Sequence, residues 1–356
     1  MSGKKRMLWL DIAKGFAIAT VVLGHCLSDT TALHDWVYSF HMPLFFMLAG
    51  FTMRAKPRLE VLESSFRRLL IPYFIVCGIL LFFAFVPPDS LSANLDSQRS
   101  VHDVIIEILF ASGQEGVFLG HSYQAIGAIW FLPCLFWGRL FLNEVLLRTK
   151  GACGARRVME PALVAIIVAF GFFVGKEMRL PFDLDTACIA VLFMYVGVLA
   201  KRFDLSRVAW WQWCVLVGVW LLYTYAGSNE MAVRAYLEHP WSLLTAAAGS
   251  LVIMKACMLA ERAPLGKVHD AFAWMGVSSL TILCVHRVES AIFNWQKIME
   301  FFRPDVWGWD ALYQGLYWFV LRYALVIVCA IVVVKLNKTV RARIAATRAA
   351  RKEALG

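Results

Sequence analysis

Long apolar blocks alternate along the chain with short polar connectors rich in Lys and Arg. The blocks run for about 18–25 residues, the length an α-helix needs to cross a hydrocarbon core of ~30 Å. Ten can be drawn, at 8–27, 36–54, 68–86, 125–147, 161–178, 184–200, 209–226, 240–260, 271–290 and 312–334. Inside a bilayer the backbone must satisfy its own hydrogen bonds, so such blocks fold as helices. The pattern predicts an all-α, polytopic membrane bundle of about ten spans. The longest connector, 87–124, opens on Pro87-Pro88. Within it, 103–119 is too short and too acidic to span, and it reads as an interfacial or re-entrant piece. The basic N-terminus runs into a block of about 20 residues that carries charges and ends without a small-residue cleavage site, so it reads as a first span rather than a cleaved signal.

Composition sharpens this picture. Of 356 residues, 60% are hydrophobic and only 17% are charged, against about 25% charged in soluble domains. That excludes a disordered chain, a disulfide scaffold and an ordinary soluble enzyme. The net charge of +10 comes from basic residues that flank the apolar blocks, which argues against nucleic-acid binding. With the N-terminus placed in the cytoplasm, 24 Lys and Arg fall in cytoplasmic segments and 6 on the other side. The positive-inside rule therefore expects both termini to be cytoplasmic. One transmembrane domain, 1–337, is expected, followed by a basic cytoplasmic tail, 338–356, lying along the anionic inner leaflet. No further domain is expected beyond it. The nine cysteines show no regular spacing. They read as small buried hydrophobes, and no metal site is expected.

Ionisable groups inside a span are costly, so each calls for a functional reading. In the first block Asp11, Lys14 and His25 stand out. Lys14 to His25 is 11 steps and Asp11 to His25 is 14, which at 100° per residue come to about 20° and −40°. All three share one stripe, predicted to face the bundle interior. Asp11 and Lys14 are spaced to pair. Lys14 lies toward the cytoplasmic end, and His25 about 16 Å further along the helix. His41 and His286 also fall inside spans, toward the outer half, whereas His34, His121 and His239 fall toward outer loops. Arg139 and Arg322 lie within or near spans. Arg67 and Arg68 stand at the entry of the third span, suited to phosphate. A basic inner mouth, a polar stripe and outer imidazoles suit two functions: a reaction with a cytoplasmic anionic donor, or a proton-coupled transporter of a small acid or sugar.

Several stretches resemble the membrane-bound acyltransferase 3 family, and most closely its fucose-4-O-acetylase-like branch. LDIAKGFAIATVVLGH, with Asp11, Lys14, Gly15 and His25, is similar to the family's opening pattern. HMPLFFMLAGF, with His41, Pro43, Phe45, Phe46, Gly50 and Phe51, resembles its second motif. FRRLLIPYF, with Arg68 and Pro72, resembles its basic motif, although Ser64 and Ser65 occupy the positions where a partner arginine is common. AIWFLPCLF carries a Trp130-Phe131-Leu132 signature, and SLTILCVH, with Ser279 and His286, resembles a late-helix motif.

The resemblance implies an inner-membrane O-acyltransferase. It would move an acyl group, most simply acetyl, from cytoplasmic acyl-CoA to a hydroxyl of a cell-surface glycan or its precursor. His25 is the expected general base or acyl relay. Arg67, Arg68 and Lys14 are expected to hold the acetyl-CoA donor, with Lys14 alternatively holding Asp11. His41, Trp130 and His286 are expected toward the acceptor.

Overall fold

The structure, a computed structural model, describes residues 7–84, 101–118, 121–151, 154–227, 229–303 and 305–353. Pro87-Pro88, the last residues of the third predicted span and both chain ends lie outside them. Sixteen α-helices follow in order: α1 Leu8–Gly24, α2 Ala32–Tyr38, α3 His41–Thr52, α4 Arg58–Ser65, α5 Ile71–Ala84, α6 Val101–Phe110, α7 Phe131–Arg148, α8 Arg156–Glu177, α9 Leu184–Arg202, α10 Trp210–Leu221, α11 Tyr223–Ala226, α12 Ser242–Ala260, α13 Lys267–Val277, α14 Ser279–Ile292, α15 Trp295–Phe302 and α16 Ala311–Glu353. One small antiparallel hairpin, β1 Gly116–Phe118 with β2 His121–Tyr123, lies after α6.

Each of the ten apolar blocks coincides with helix. By length and composition, however, six helices among the described residues qualify to cross a membrane. They are Arg58–Phe83, Ala128–Arg148, Arg156–Glu177, Pro181–Arg202, Ser242–Ala260 and Ala311–Thr347. Three predicted spans are broken instead, among them 209–226, which divides into α10 and α11 at Leu222, and the first block yields the 17-residue α1. The block 36–54 splits into α2 and α3 at Ser39-Phe40. Pro43 explains the break: it has no amide hydrogen and its ring crowds the carbonyl four residues back, so it is tolerated only in a first turn. The block 271–290 bends by 71° between α13 and α14. The stretch 103–119 folds as most of the ten-residue α6 followed by β1. Residues 338–353 of the expected tail continue the last apolar block as one helix: α16 has 43 residues, about 64 Å and twice the hydrocarbon thickness.

Close helix crossings hold α1 and α3 in place. A methyl group at Gly15 would overlap the Phe272 carbonyl on α13, and one at Gly50 would overlap the Met194 carbonyl on α9. Small residues let the backbones approach where lipid provides no hydrophobic drive between helices. The buried core runs through these crossings, with Ala13, Ala17, Phe46, Met47, Leu132, Ala190 and Met194 almost inaccessible.

Candidate active site

The end of α1 sets the first group. His25 caps that helix, and Arg322 of α16 donates to its carbonyl at 3.3 Å. This satisfies an acceptor that a helix end leaves open. The His25 ring lies 5.3 Å from the ring of His286 on α14. His286 Nδ1 bonds Glu289 Oε1 at 2.8 Å, one helical turn on. Arg322 donates to the same oxygen at 2.7 Å, and Trp295 Nε1 donates to the other. A carboxylate held by a guanidinium only accepts, so Nδ1 of His286 carries the hydrogen. His286, Glu289 and Arg322 are all buried. The bend at Ser278 aims α14 so that this set reaches His25.

The other side of His25 opens on a cavity of about 120 Å³, also lined by Tyr38, His41, Trp130 and Glu230. His25 keeps accessible surface because it faces this space, whereas His41 and Trp130 are buried in the wall. His41 is the first residue of α3, placed there by the break before Pro43. Its Nδ1 bonds the Val37 carbonyl at 2.9 Å. A carbonyl cannot donate, so Nδ1 carries the hydrogen and Nε2 keeps a lone pair. Trp130 follows Gly127, whose φ of +74° belongs to glycine. Arg287 clamps that turn by donating to the Ile126 carbonyl. Consecutive residues of α14 thus serve both walls, His286 behind His25 and Arg287 behind Trp130. Phe131, by contrast, packs into the core against Phe45 and Phe46.

Asp11 and Lys14 are not part of this cavity. Asp11 is buried and Lys14 half-buried near the opposite end of α1, with Lys14 about 16 Å from His25 by helical rise. At that end of the bundle, Phe66–Leu70 is a π-helical turn. Pro72 gives the physical reason, since its ring would strike the Arg68 carbonyl in a regular α-helix. Arg67 is exposed and pairs with Glu63 at 2.6 Å. Arg68 instead neighbours Arg139 of α7, whose Nε donates to buried Ser65 at 2.9 Å. No carboxylate pairs with Arg68 or Arg139 among the described residues. The helix α4 is fixed to α7 by a two-way amide bond between Asn143 and the Lys56 backbone, and by Arg58 on Glu144 at 2.8 Å. Those anchors bring Ser65 to Arg139.

Sequence reasoning missed Glu289, Glu230 and Tyr38, and gave Arg139 and Arg322 no role. Glu289 had a local signal, standing three residues after His286 on one helix face. Glu230 had none.

Two comparisons with known proteins bear on this arrangement. The Nodulation protein NolL of Mesorhizobium japonicum is 23% identical over 341 residues, covering 85% of this chain and 80% of that protein. No solved structure matches the chain. A family model described as an acyltransferase domain matches residues 7–335, from the start of α1 into α16. That match takes in both the histidine pair and the arginine end of the bundle, and the chain belongs to the acyltransferase 3 family.

Proposed function

We propose that the protein is an O-acyltransferase of the inner membrane. It carries an acyl group, most simply acetyl, from cytoplasmic acyl-CoA to a hydroxyl of a cell-surface glycan or its precursor. The chain spans the membrane with both termini in the cytoplasm, as its basic connectors imply. The observation that carries this reading is the His25 ring, open on one side to a cavity and backed on the other by His286 and Glu289.

The donor's phosphates bind at Arg68 and Arg139, two guanidiniums that pair with no carboxylate among the described residues and so are open to an anion. Arg67, turned to Glu63, contributes less. The pantetheine arm runs past Lys14, which either contacts it or holds Asp11, and brings the thioester to the cavity. Trp130 lies nine residues from Arg139 on one helical run, about 13 Å by helical rise. The acceptor enters between Trp130, Tyr38 and His41.

The His25 ring nitrogen takes the acceptor hydroxyl proton as that oxygen attacks the thioester carbonyl. The tetrahedral centre collapses, the carbon–sulfur bond breaks, and the leaving thiolate takes the proton back from His25 to become the CoA thiol. General-base assistance of this kind contributes about 10²–10⁴-fold. His286, fixed through Nδ1 by Glu289, positions the His25 ring. A His25-linked acyl relay would use the same placement with two displacements at that nitrogen.

The test uses protein in liposomes with labelled acetyl-CoA on the Arg68 side and methyl glycosides on the other. An O-acetylated glycoside is expected. Flux of sugar or acid with no donor present, and no acylated product, would replace this reading with the transporter.

A further inference from the structure

Part of the cavity wall comes from the loop between α11 and α12, through Glu230, Met231 and Ala232. This loop is rigidly held. Arg234 adopts a left-handed backbone with φ of 60°. Its buried side chain donates to the Gly175 carbonyl at 2.7 Å and pairs with buried Asp185 at 2.7 Å. At the loop's start, Asn229 accepts from Ser242 at 3.2 Å, and the Glu230 carbonyl accepts from Ala235 at 3.2 Å. The facing loop, which carries Gly113, is tied to the same framework by Arg179 on Ser112 and Gln114. The first loop is therefore stapled to α8 and α9, and the second to the connector between them, rather than merely draped over the cavity.

From this held loop Glu230 lines the cavity that His25 faces. Its carboxylate makes no hydrogen bond among the described residues, and its electrostatic neighbours are His34, Asp29 and Asp35. Burial holds it above the usual carboxylate range, the two aspartates add to this, and His34 opposes it. A half-buried carboxylate with no protein partner among the described residues is free to accept hydrogen bonds from a molecule in the cavity. It shares the lining of this cavity with the imidazoles of His25 and His41, the Trp130 indole and the Tyr38 phenol.

We propose that Glu230 is the residue that selects the acceptor, accepting hydrogen bonds from hydroxyls that flank the one to be acylated. This assignment rests on the acyl-transfer reading above and deepens it. A carboxylate offers two oxygens and several lone pairs, enough for two neighbouring hydroxyls at once. Trp130 and Tyr38 supply apolar faces for the C–H side of a sugar ring. A negative wall also excludes acidic sugars by like-charge repulsion. The acceptor class is thus a neutral polyhydroxylated ring and not a uronate.

The experiment compares wild type with Glu230→Gln and Glu230→Ala, using labelled acetyl-CoA with methyl glucoside, methyl galactoside or methyl glucuronide. Glu230→Gln keeps the shape and removes the charge. The acceptor KM of the neutral glycosides should rise about 10- to 100-fold, the range for a lost hydrogen bond to a charged group. The donor KM should stay unchanged. The glucuronide, rejected by wild type, should become a relatively better acceptor in Glu230→Gln. Folding is followed by membrane abundance and thermal unfolding in detergent. Wild-type acceptor KM and wild-type selectivity in a folded Glu230→Gln variant would overturn the Glu230 assignment alone. Failure of the wild-type chain to acylate any of the three would take down the acyl-transfer reading and this assignment with it.

Discussion

The rings of His25 and His286 lie 5.3 Å apart, although one caps the first helix and the other sits on a helix near the end of the chain. Glu289 fixes His286 from behind, and Arg322 fixes both Glu289 and the carbonyl of His25. The first and last helices of the bundle therefore meet at the reactive group. Replacing Glu289 with Gln keeps the volume and removes the charge that holds the His286 Nδ1 hydrogen. The turnover rate should fall about 10- to 100-fold, with little change in either KM. Arg322→Ala should lower the amount of folded protein by leaving Glu289 buried without its counter-charge, and Glu289→Gln, which strands Arg322, should do so too, so the turnover rate is read per folded protein. Wild-type kcat in Glu289→Gln would show that His286 has no positioning role.

At the other end of the bundle, Arg139 and Arg68 form a pair that repels. Removing either guanidinium should raise the donor KM about 10- to 100-fold, as expected for a charge-assisted bond to phosphate. The acceptor KM should not move. Arg67→Ala should change the donor KM little, because Arg67, unlike Arg68, is already turned to a carboxylate, Glu63. Titration of the three purified variants with CoA decides the matter. Equal weakening by Arg67→Ala and Arg139→Ala would reject the assignment.

Acidification should act at Glu230. Its carboxyl titrates above the usual range because it is buried near Asp29 and Asp35, with His34 opposing. As pH falls through that raised value the carboxylate is lost, so the acceptor KM should climb in wild type while Glu230→Gln stays flat. Stability runs the other way. The raised pKa favours the folded protein below the ordinary carboxylate value and loses that contribution as pH rises through the folded one. Parallel pH profiles for the two proteins would contradict this.

Two glycines should respond with opposite sign. An added methyl at Gly50 overlaps the Met194 carbonyl, whereas at Gly78 it meets nothing within 4 Å. Gly50→Ala should destabilise by about 1–3 kcal/mol through overpacking. Gly78→Ala, mid-helix in α5, should be neutral or stabilise by about 0.5–1 kcal/mol. Thermal unfolding in detergent measures both, and an unshifted Gly50→Ala would undo the α3–α9 crossing.

Much of the architecture was legible in the pattern of apolar blocks, since every block coincides with helix. The breaks were less so. Pro43 and Pro72 were visible, yet a first-turn proline and a π-turn proline look alike until the partner helices are placed. Of the stripe Asp11, Lys14 and His25, Asp11 is buried and His25 lines the cavity, so one face of one helix serves two ends of a bundle 16 Å apart by helical rise. Arg139 and Arg322 were legible as costly charges without their partners, because Ser65 and Glu289 lie on other helices. Glu230 sits in a connector, where neither period nor intramembrane cost marks a residue. Its place is set by the Arg234–Asp185 pair, which only the fold reveals.

The most direct test of the central claim is the rate of acyl transfer from labelled acetyl-CoA by His25→Ala in liposomes, alongside its CoA affinity. The account predicts a loss of about 10²–10⁴-fold or more in transfer, with the protein still in the membrane and still binding CoA like wild type. Transfer at the wild-type rate by that variant would contradict it.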